Sequence, residues 1–147
     1  MLRALLLTDG QVSALALRVF LAVLFFPHGA QKVLGWFGGP GLATAVGFMT
    51  KMHISTPLIV LAIAAEFLGP ICLFFGFLTR VAAFGIAVEM VVAIFLVHLK
   101  FGFFMNWFGQ KAGEGYEYHL LLIGMSVALM ISGGGAWSVD RALTQRR

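Results

Sequence analysis

Four long apolar segments constrain this chain more than any other feature of its sequence. They cover residues 12–34, 57–78, 81–99 and 116–137, and each carries few ionisable side chains. About 20 apolar residues in helical form are long enough to cross the hydrocarbon core of a bilayer. Only helices and closed barrels cross lipid, and no strand-like alternation of apolar and polar residues competes here. The sequence therefore predicts an all-α integral membrane four-helix bundle, formed as a single domain over residues 1–147.

Composition excludes the main alternatives to a membrane protein. Of the 147 residues, 61% are hydrophobic and 11% are charged, against roughly 45–50% and about 25% in soluble domains. The net charge is +4, but the basic residues separate the apolar segments instead of clustering, so we expect no nucleic-acid partner. The lone Cys72 excludes an internal disulfide and any two-cysteine metal motif.

Lys and Arg residues predict the orientation of the four spans. Both termini and the turn at Thr79-Arg80 fall on one side, and the two connections rich in glycine and aromatic residues, 35–56 and 100–115, fall on the other. The first side carries six Lys and Arg residues and the second carries four. The positive-inside rule then places both termini in the cytoplasm.

Ionisable residues inside the predicted spans are the candidate functional residues, because a charge in the bilayer core is costly and needs a reason. At a rise of about 1.5 Å per residue, Glu66 and Glu89 fall near the midplane. Arg18 lies toward the terminal side. The remaining candidates lie in the half nearer the two long connections: His28, Lys32, His98, Glu117 and His119.

Helical periodicity predicts which faces carry these residues. On the first span, Arg18, His28 and Lys32 share one stripe with Leu21 and Phe25. Small residues let helices approach closely in lipid, so we expect each acid to lie on a packing face where small residues accompany it. The predicted stripes are Ala62, Glu66, Gly69, Leu73 and Gly76; Ala82, Gly85, Glu89 and Ala93; and Glu117, Leu121, Gly124, Ala128 and Ser132. One basic helix would then face three helices that each supply one glutamate.

Two prolines lie inside the spans. Pro70 cannot donate to the carbonyl of Glu66, and Pro27 frees the carbonyl of Val23 in the same way. Freed carbonyls beside buried polar groups are one way to build a membrane site, although prolines are also frequent in spanning helices. The sequence leaves both interpretations open.

Three sequence features together resemble the DoxX family of small bacterial membrane proteins. They are the string from Arg18 to Lys32 with His28-Gly29 inside it, the string from Glu66 through Gly69 and Gly76 to Thr79-Arg80, and the pair Tyr116-Glu117. The resemblance covers roughly residues 15–130. It implies a four-helix, multi-pass protein of the bacterial plasma (inner) membrane.

The resemblance also implies quinone-linked redox chemistry, since the namesake and its relatives look like membrane subunits of thiosulfate:quinone oxidoreductases. Other members resemble membrane partners in oxidative-stress complexes. On this reading the chain is a subunit of a quinone oxidoreductase system, with quinone as its cofactor and a redox partner protein as its electron donor. A homo-oligomer is the other expected association.

We predict catalytic roles for Glu66, Glu89 and His28, which would hydrogen-bond quinone or relay its protons. Quinone contacts or an ion-pair network are predicted for Arg18, Lys32, Glu117, His98 and His119. The alternative is that the same charges form a buried ion-pair network that fixes helix register. No ligand spacing supports haem or a metal, and we expect neither. The alternative function is a non-enzymatic membrane anchor, an assembly factor or a small-molecule transport module.

Overall fold

The computed structural model describes residues 5–145 and is all-helical there, with no strand. The helices are α1 (Val12–Leu34), α2 (Gly41–Lys51), α3 (Thr56–Phe75), α4 (Thr79–Ala93), α5 (Glu117–Ser132) and α6 (Val139–Gln145). A π-helical segment, Ile94–His98, and a 3-10 turn, Leu99–Phe101, continue α4. The predicted all-α class is confirmed.

Glycines in the left-handed conformation end the two longest helices. Gly35 follows α1 with φ 70°, and Gly76 follows α3 with φ 65°. Glycine reaches this region without the steric cost that a Cβ atom brings, which makes it the usual residue after a helix. At its other end α3 has Pro57 in the first turn, where a missing N–H breaks no helical hydrogen bond.

Four helices form a closed ring in which α1 packs on α3, α3 on α4, α4 on α5 and α5 on α1. Leu21, Leu73, Ile86 and Leu129 contribute one fully buried side chain from each helix to the shared core. The outer faces are also apolar, and many of their large side chains are exposed, including Phe20, Phe95 and Ile131. Such a surface suits lipid and not water, as expected of a membrane bundle.

Three of the helices are long and apolar enough to span a bilayer: Val12–Leu34, Thr56–Phe75 and Thr79–Phe101. Helix α5 is apolar but has 16 residues, about 24 Å at 1.5 Å per residue, against a hydrocarbon core of about 30 Å. The fourth predicted segment is shortened because the chain leaves the helix at Gly133 and residues 133–138 turn back across the end of the bundle.

The connection over residues 35–56, predicted as a loop, contains the helix α2. This helix packs on α1 and α3 through Ala45 and leaves Leu42 and Phe48 exposed. The segment is rich in glycine and aromatic residues, which favoured the prediction of a loop over that of a helix.

Both described chain ends lie at one end of the bundle, which we call the terminal end. The backbone N–H of Ala136 donates to the Gln11 carbonyl at 3.0 Å, and Thr8 contacts Ser132 and Gly135 there. The turn between α3 and α4 lies at the same end. The Arg80 guanidinium, just after this turn, donates to carbonyls near the end of α5 and to those of Leu5 and Leu7. The predicted grouping of the termini with this turn is confirmed, while their cytoplasmic side stays a prediction. The opposite end, with residues 35–56 and 99–116, is the loop end.

The predicted packing face of α3 is confirmed for Glu66, Gly69, Leu73 and Gly76, which are buried, while Ala62 is half-buried. The stripe that we predicted on α5 is wrong. Leu121 and Gly124 are exposed, and a Cβ atom added to Gly124 would meet nothing within 4 Å. The buried face of α5 instead carries His119, Leu122, Ser126 and Leu129. Because a membrane helix is apolar on all sides, small residues alone do not mark its packing face.

Candidate functional site

An ion pair joins α1 to α3 inside the bundle. The Lys32 ammonium contacts Oε2 of Glu66, and the two side chains are 35% and 9% exposed, respectively. A buried carboxylate without such a partner would be strongly destabilising. The predicted pairing of a cation from the first span with an acid from the second is therefore present, and Lys32 is the cation.

Glu89 adds a second carboxyl from α4. It lies near enough to the Glu66 carboxyl and to the Lys32 ammonium to interact with the charges of both. Its Oε2 atom is buried and accepts no hydrogen bond in the described structure. We call Lys32, Glu66 and Glu89 the charged cluster. Two carboxylates beside one ammonium carry a net charge of −1, and one added proton makes this cluster neutral.

A close backbone contact sets the spacing of the charged cluster. Gly29 packs directly on the backbone of Glu66, and a Cβ atom at position 29 would overlap the Glu66 carbonyl oxygen. That carbonyl has no helical N–H partner because Pro70 occupies the position that would supply it. Gly29 and Pro70 therefore let α1 and α3 approach closely at the level of Glu66.

The same contact sets the relative levels of the two residues. The sequence predicts Glu66 near the midplane and Lys32 nearer the surface, and their side chains meet. Since Gly29 lies beside Glu66, Lys32 is three residues, or about 4.5 Å, farther along α1. A lysine side chain spans that rise easily. Gly29 is close to the end of α1 at Leu34, so the charged cluster lies in the half of α1 nearer the loop end.

Aromatic and apolar side chains surround the outer side of this site. Phe26 stacks on Phe67 with 6.1 Å between ring centroids, and Trp36 meets Phe26 edge-on at 6.5 Å. An apolar groove of about 430 Å³ follows between α1 and α3 toward the terminal end. Its lining includes both predicted prolines: Ala22, Val23, Phe26, Pro27, Pro70, Ile71, Phe74 and Phe75.

Arg18 is not part of the charged cluster. Its guanidinium is 2% exposed and donates to five backbone carbonyls at the terminal end. The acceptors are Leu73 and Phe74 at the end of α3, and Gly134, Ala136 and Trp137 in the segment before α6. The last carbonyls of a helix lack intrahelical donors, so Arg18 caps α3 and fixes the returning chain.

His28, predicted as catalytic on the inner stripe of α1, lies on the exposed surface instead, and Gly29 takes the buried position. At about 100° per residue, His28 stood roughly 80° from Arg18, at the edge of the predicted stripe. The face prediction is confirmed for Arg18, Leu21 and Phe25 and is wrong for His28.

The remaining predicted residues gather at the loop end. Glu117 accepts a hydrogen bond from the backbone N–H of Met105 at 3.3 Å, so it holds the 102–116 loop. His98 and His119 meet with 4.0 Å between ring centroids. The predicted set of site residues thus divides into the charged cluster, a histidine pair with Glu117 at the loop end, and Arg18 at the terminal end.

Sequence reasoning missed Asp140. This buried carboxylate accepts hydrogen bonds from the backbone N–H groups of Leu78 at 2.8 Å and Thr79 at 2.9 Å. It therefore caps the start of α4 and lies near enough to Arg18 to attract its charge. One signal pointed to it: Leu78, the residue before α4, cannot cap a helix, so the cap has to come from elsewhere in the chain.

Comparison with known proteins supplies the evolutionary context. The model of the DoxX family matches residues 13–99. Inner membrane protein YqjF of Escherichia coli is 30% identical, over 92% of this chain and 95% of its own. Putative oxidoreductase CatD of Bacillus subtilis is 29% identical, over 81% of this chain and 79% of its own. An uncharacterized protein of Haemophilus influenzae is 34% identical, over 84% of this chain and 85% of its own. No solved structure matches the chain.

Proposed function

Because the chain belongs to the DoxX family, we propose that it is the membrane subunit of a quinone-linked oxidoreductase system in the bacterial plasma membrane. The relative named putative oxidoreductase supports the redox part of this proposal. The relative named inner membrane protein supports the location. The chain itself is a membrane protein with several apolar helices of spanning length.

The charged cluster is the observation that carries the proposal. A buried carboxyl, Glu66, lies beside the half-buried Lys32 ammonium and the half-buried Glu89, and Glu89 keeps a buried oxygen without a donor. A group of this kind can hold a proton on Glu66 or Glu89, and its release changes the net charge of the cluster from zero to −1, with Lys32 offsetting one of the two carboxylates. Proton transfer of this type is what quinone reduction requires, since two protons accompany two electrons.

The surroundings also fit a quinone. Its ring carries two acceptor oxygens, which need donors in an otherwise apolar slot. The Lys32 ammonium and a protonated carboxyl of the cluster would serve as donors, and the stacked rings of Phe26 and Phe67 join the same two helices, with Phe67 next to Glu66 in the chain. The electrons would come from the redox cofactor of a partner protein. In this scheme the chain orients the ring and delivers protons.

The test compares quinol formation in membranes that contain the wild-type protein, no protein, or a variant of the cluster. Thiosulfate and a second inorganic reductant are supplied in parallel, and quinone is extracted from the purified protein. We expect Glu66→Gln and Glu89→Gln each to lower quinol formation at least tenfold while the protein still accumulates. Glu114→Gln is the matched control, because Glu114 accepts a loop hydrogen bond outside the cluster. Equal rates with and without the protein, together with no copurifying quinone, would contradict the proposal.

The second candidate is a non-enzymatic anchor or assembly factor. It is favoured by the arginines, since Arg18 and Arg80 donate to backbone carbonyls and stabilise the bundle instead of facing a ligand. Purification from native membranes separates the candidates. A stoichiometric partner that carries a redox cofactor, together with bound quinone, supports the oxidoreductase subunit. A partner without either supports the anchor.

A further inference from the structure

The two histidines at the loop end come from different helices and lie against each other. His98 is the last residue of the π-helical segment that continues α4, and His119 is in the first turn of α5. Their ring centroids are 4.0 Å apart with 44° between the ring planes. π-helical turns are rare in proteins, and those that occur often lie at functional sites. We call these residues the His98–His119 pair.

The nitrogen atoms of the pair have unequal partners. Nδ1 of His98 lies 2.9 Å from the carbonyl oxygen of Glu114, and a carbonyl can only accept, so this nitrogen carries the hydrogen. In the neutral ring the lone pair is then on Nε2. His119 is 9% exposed, and its Nδ1 atom is buried without a hydrogen-bond partner. A buried ring nitrogen without a partner is uncommon and points to a ligand.

We propose that the His98–His119 pair binds one late first-row transition-metal ion at the loop end of the bundle, through Nε2 of His98 and Nδ1 of His119. Neutral imidazole nitrogen is the ligand that Zn²⁺, Cu²⁺ and Ni²⁺ share. Metal-ligating histidines characteristically donate their other ring N–H to a carboxylate or a backbone carbonyl, and His98 does this toward Glu114.

The spacing of the rings suits this assignment. With metal–nitrogen bonds of about 2.0–2.1 Å and ligand angles of about 90–110°, two imidazole ligands place their ring centroids ~4.5–5.3 Å apart. The rings of the pair are 4.0 Å apart, so they would separate by ~0.5–1.3 Å to hold one ion. Within residues 5–145 no three or more ligand-type side chains converge. Water would complete the coordination shell, which makes the site open and exchangeable, unlike a closed structural site.

The experiment measures metal binding by the full chain, purified in detergent through an affinity tag that contains no histidine. Equilibrium dialysis with Zn²⁺ gives stoichiometry and affinity, and electron paramagnetic resonance with Cu²⁺ counts nitrogen ligands. The chain holds four histidines, which provides a matched control. His28 and His53 are exposed and lie outside the pair, so the double variant His28→Gln/His53→Gln retains the proposed ligands.

We expect one Zn²⁺ per chain in the wild-type protein and in the control variant. His98→Gln and His119→Gln should each weaken binding at least tenfold. The wild-type Cu²⁺ spectrum should show two imidazole nitrogens, a signature that simple ring packing does not produce. Loss of Zn²⁺ binding in the control variant, or a wild-type Cu²⁺ spectrum with fewer than two nitrogens, would overturn the proposal. The wild-type spectrum requires no variant, so the test stands even if a substitution in the pair prevents folding. Quinol formation is not a readout, so this site and the proposed function fail independently.

Discussion

Replacement of Arg18 by lysine tests whether this buried arginine holds the terminal end together. The guanidinium makes five hydrogen bonds to carbonyls, through its Nε and both terminal nitrogens. A lysine ammonium keeps the charge but has three donors, so at least two of these carbonyls lose their partner. Each buried polar group without a partner costs about 1–3 kcal/mol. The expected loss in free energy of unfolding for Arg18→Lys is therefore about 2–6 kcal/mol.

The assay is unfolding by added SDS in mixed micelles, followed by far-UV circular dichroism. Arg141→Lys is the control, because Arg141 lies on α6 at the same end and is only partly buried. A substitution at such a position should change stability by less than about 0.5 kcal/mol. The reasoning is refuted if Arg18→Lys unfolds at the SDS concentration of the wild type, or if both arginine variants lose the same stability.

Substitutions at three further contacts test what positions the helices, each measured by the same SDS unfolding. Gly29→Ala should cost about 1–3 kcal/mol, since its Cβ overlaps the Glu66 carbonyl, whereas Gly124→Ala, which meets nothing within 4 Å, should gain up to about 1 kcal/mol. Lys32→Met should cost about 3–5 kcal/mol, and adding Glu66→Gln should restore part of this loss because the uncompensated charge disappears. Asp140→Asn should cost about 1–2 kcal/mol through the weakened cap of α4.

Each of these expectations has a distinct contrary result. Equal stability of the two glycine variants would contradict the close contact between α1 and α3. A double variant at Lys32 and Glu66 that is as unstable as the two single losses added together would mean that the pair is not coupled. An Asp140→Asn protein as stable as the wild type would show that other groups satisfy the first backbone N–H groups of α4.

The architecture was predictable because length and apolarity decide it. A segment such as residues 12–34 has few alternatives to a spanning helix, and α1 has the same bounds in the structure. The pairing of Lys32 with a glutamate was predictable in kind, since a buried charge needs an opposite partner. The early end of α5 was not predictable. Its apolar sequence continues past Ser132, but the chain turns at Gly133, and the carbonyls of the turn accept hydrogen bonds from Arg18.

Contacts between residues distant in the chain explain what sequence reasoning missed. Asp140 caps a helix that begins 61 residues earlier, and no local pattern records such a partnership. The contact of His98 with His119 depends on the π-helical turn that ends the α4 span, which no residue spacing predicts. The buried face of α5 is also hard to predict from sequence, because lipid and core both favour apolar side chains.

The hydrogen bonds of the buried charges separate structural residues from candidates for chemistry. The Arg18 guanidinium donates to backbone carbonyls, and both carboxylate oxygens of Asp140 accept from backbone N–H groups. These contacts give both residues a structural role. The charged cluster differs, because Glu66 and Glu89 compete for one ammonium and one buried oxygen of Glu89 is left without a donor. A network with more acceptors than donors changes its net charge with a single proton. Lys32, Glu66 and Glu89 are therefore the residues to test for the proposed proton transfer, and the arginines stabilise the ends of the helices that carry them.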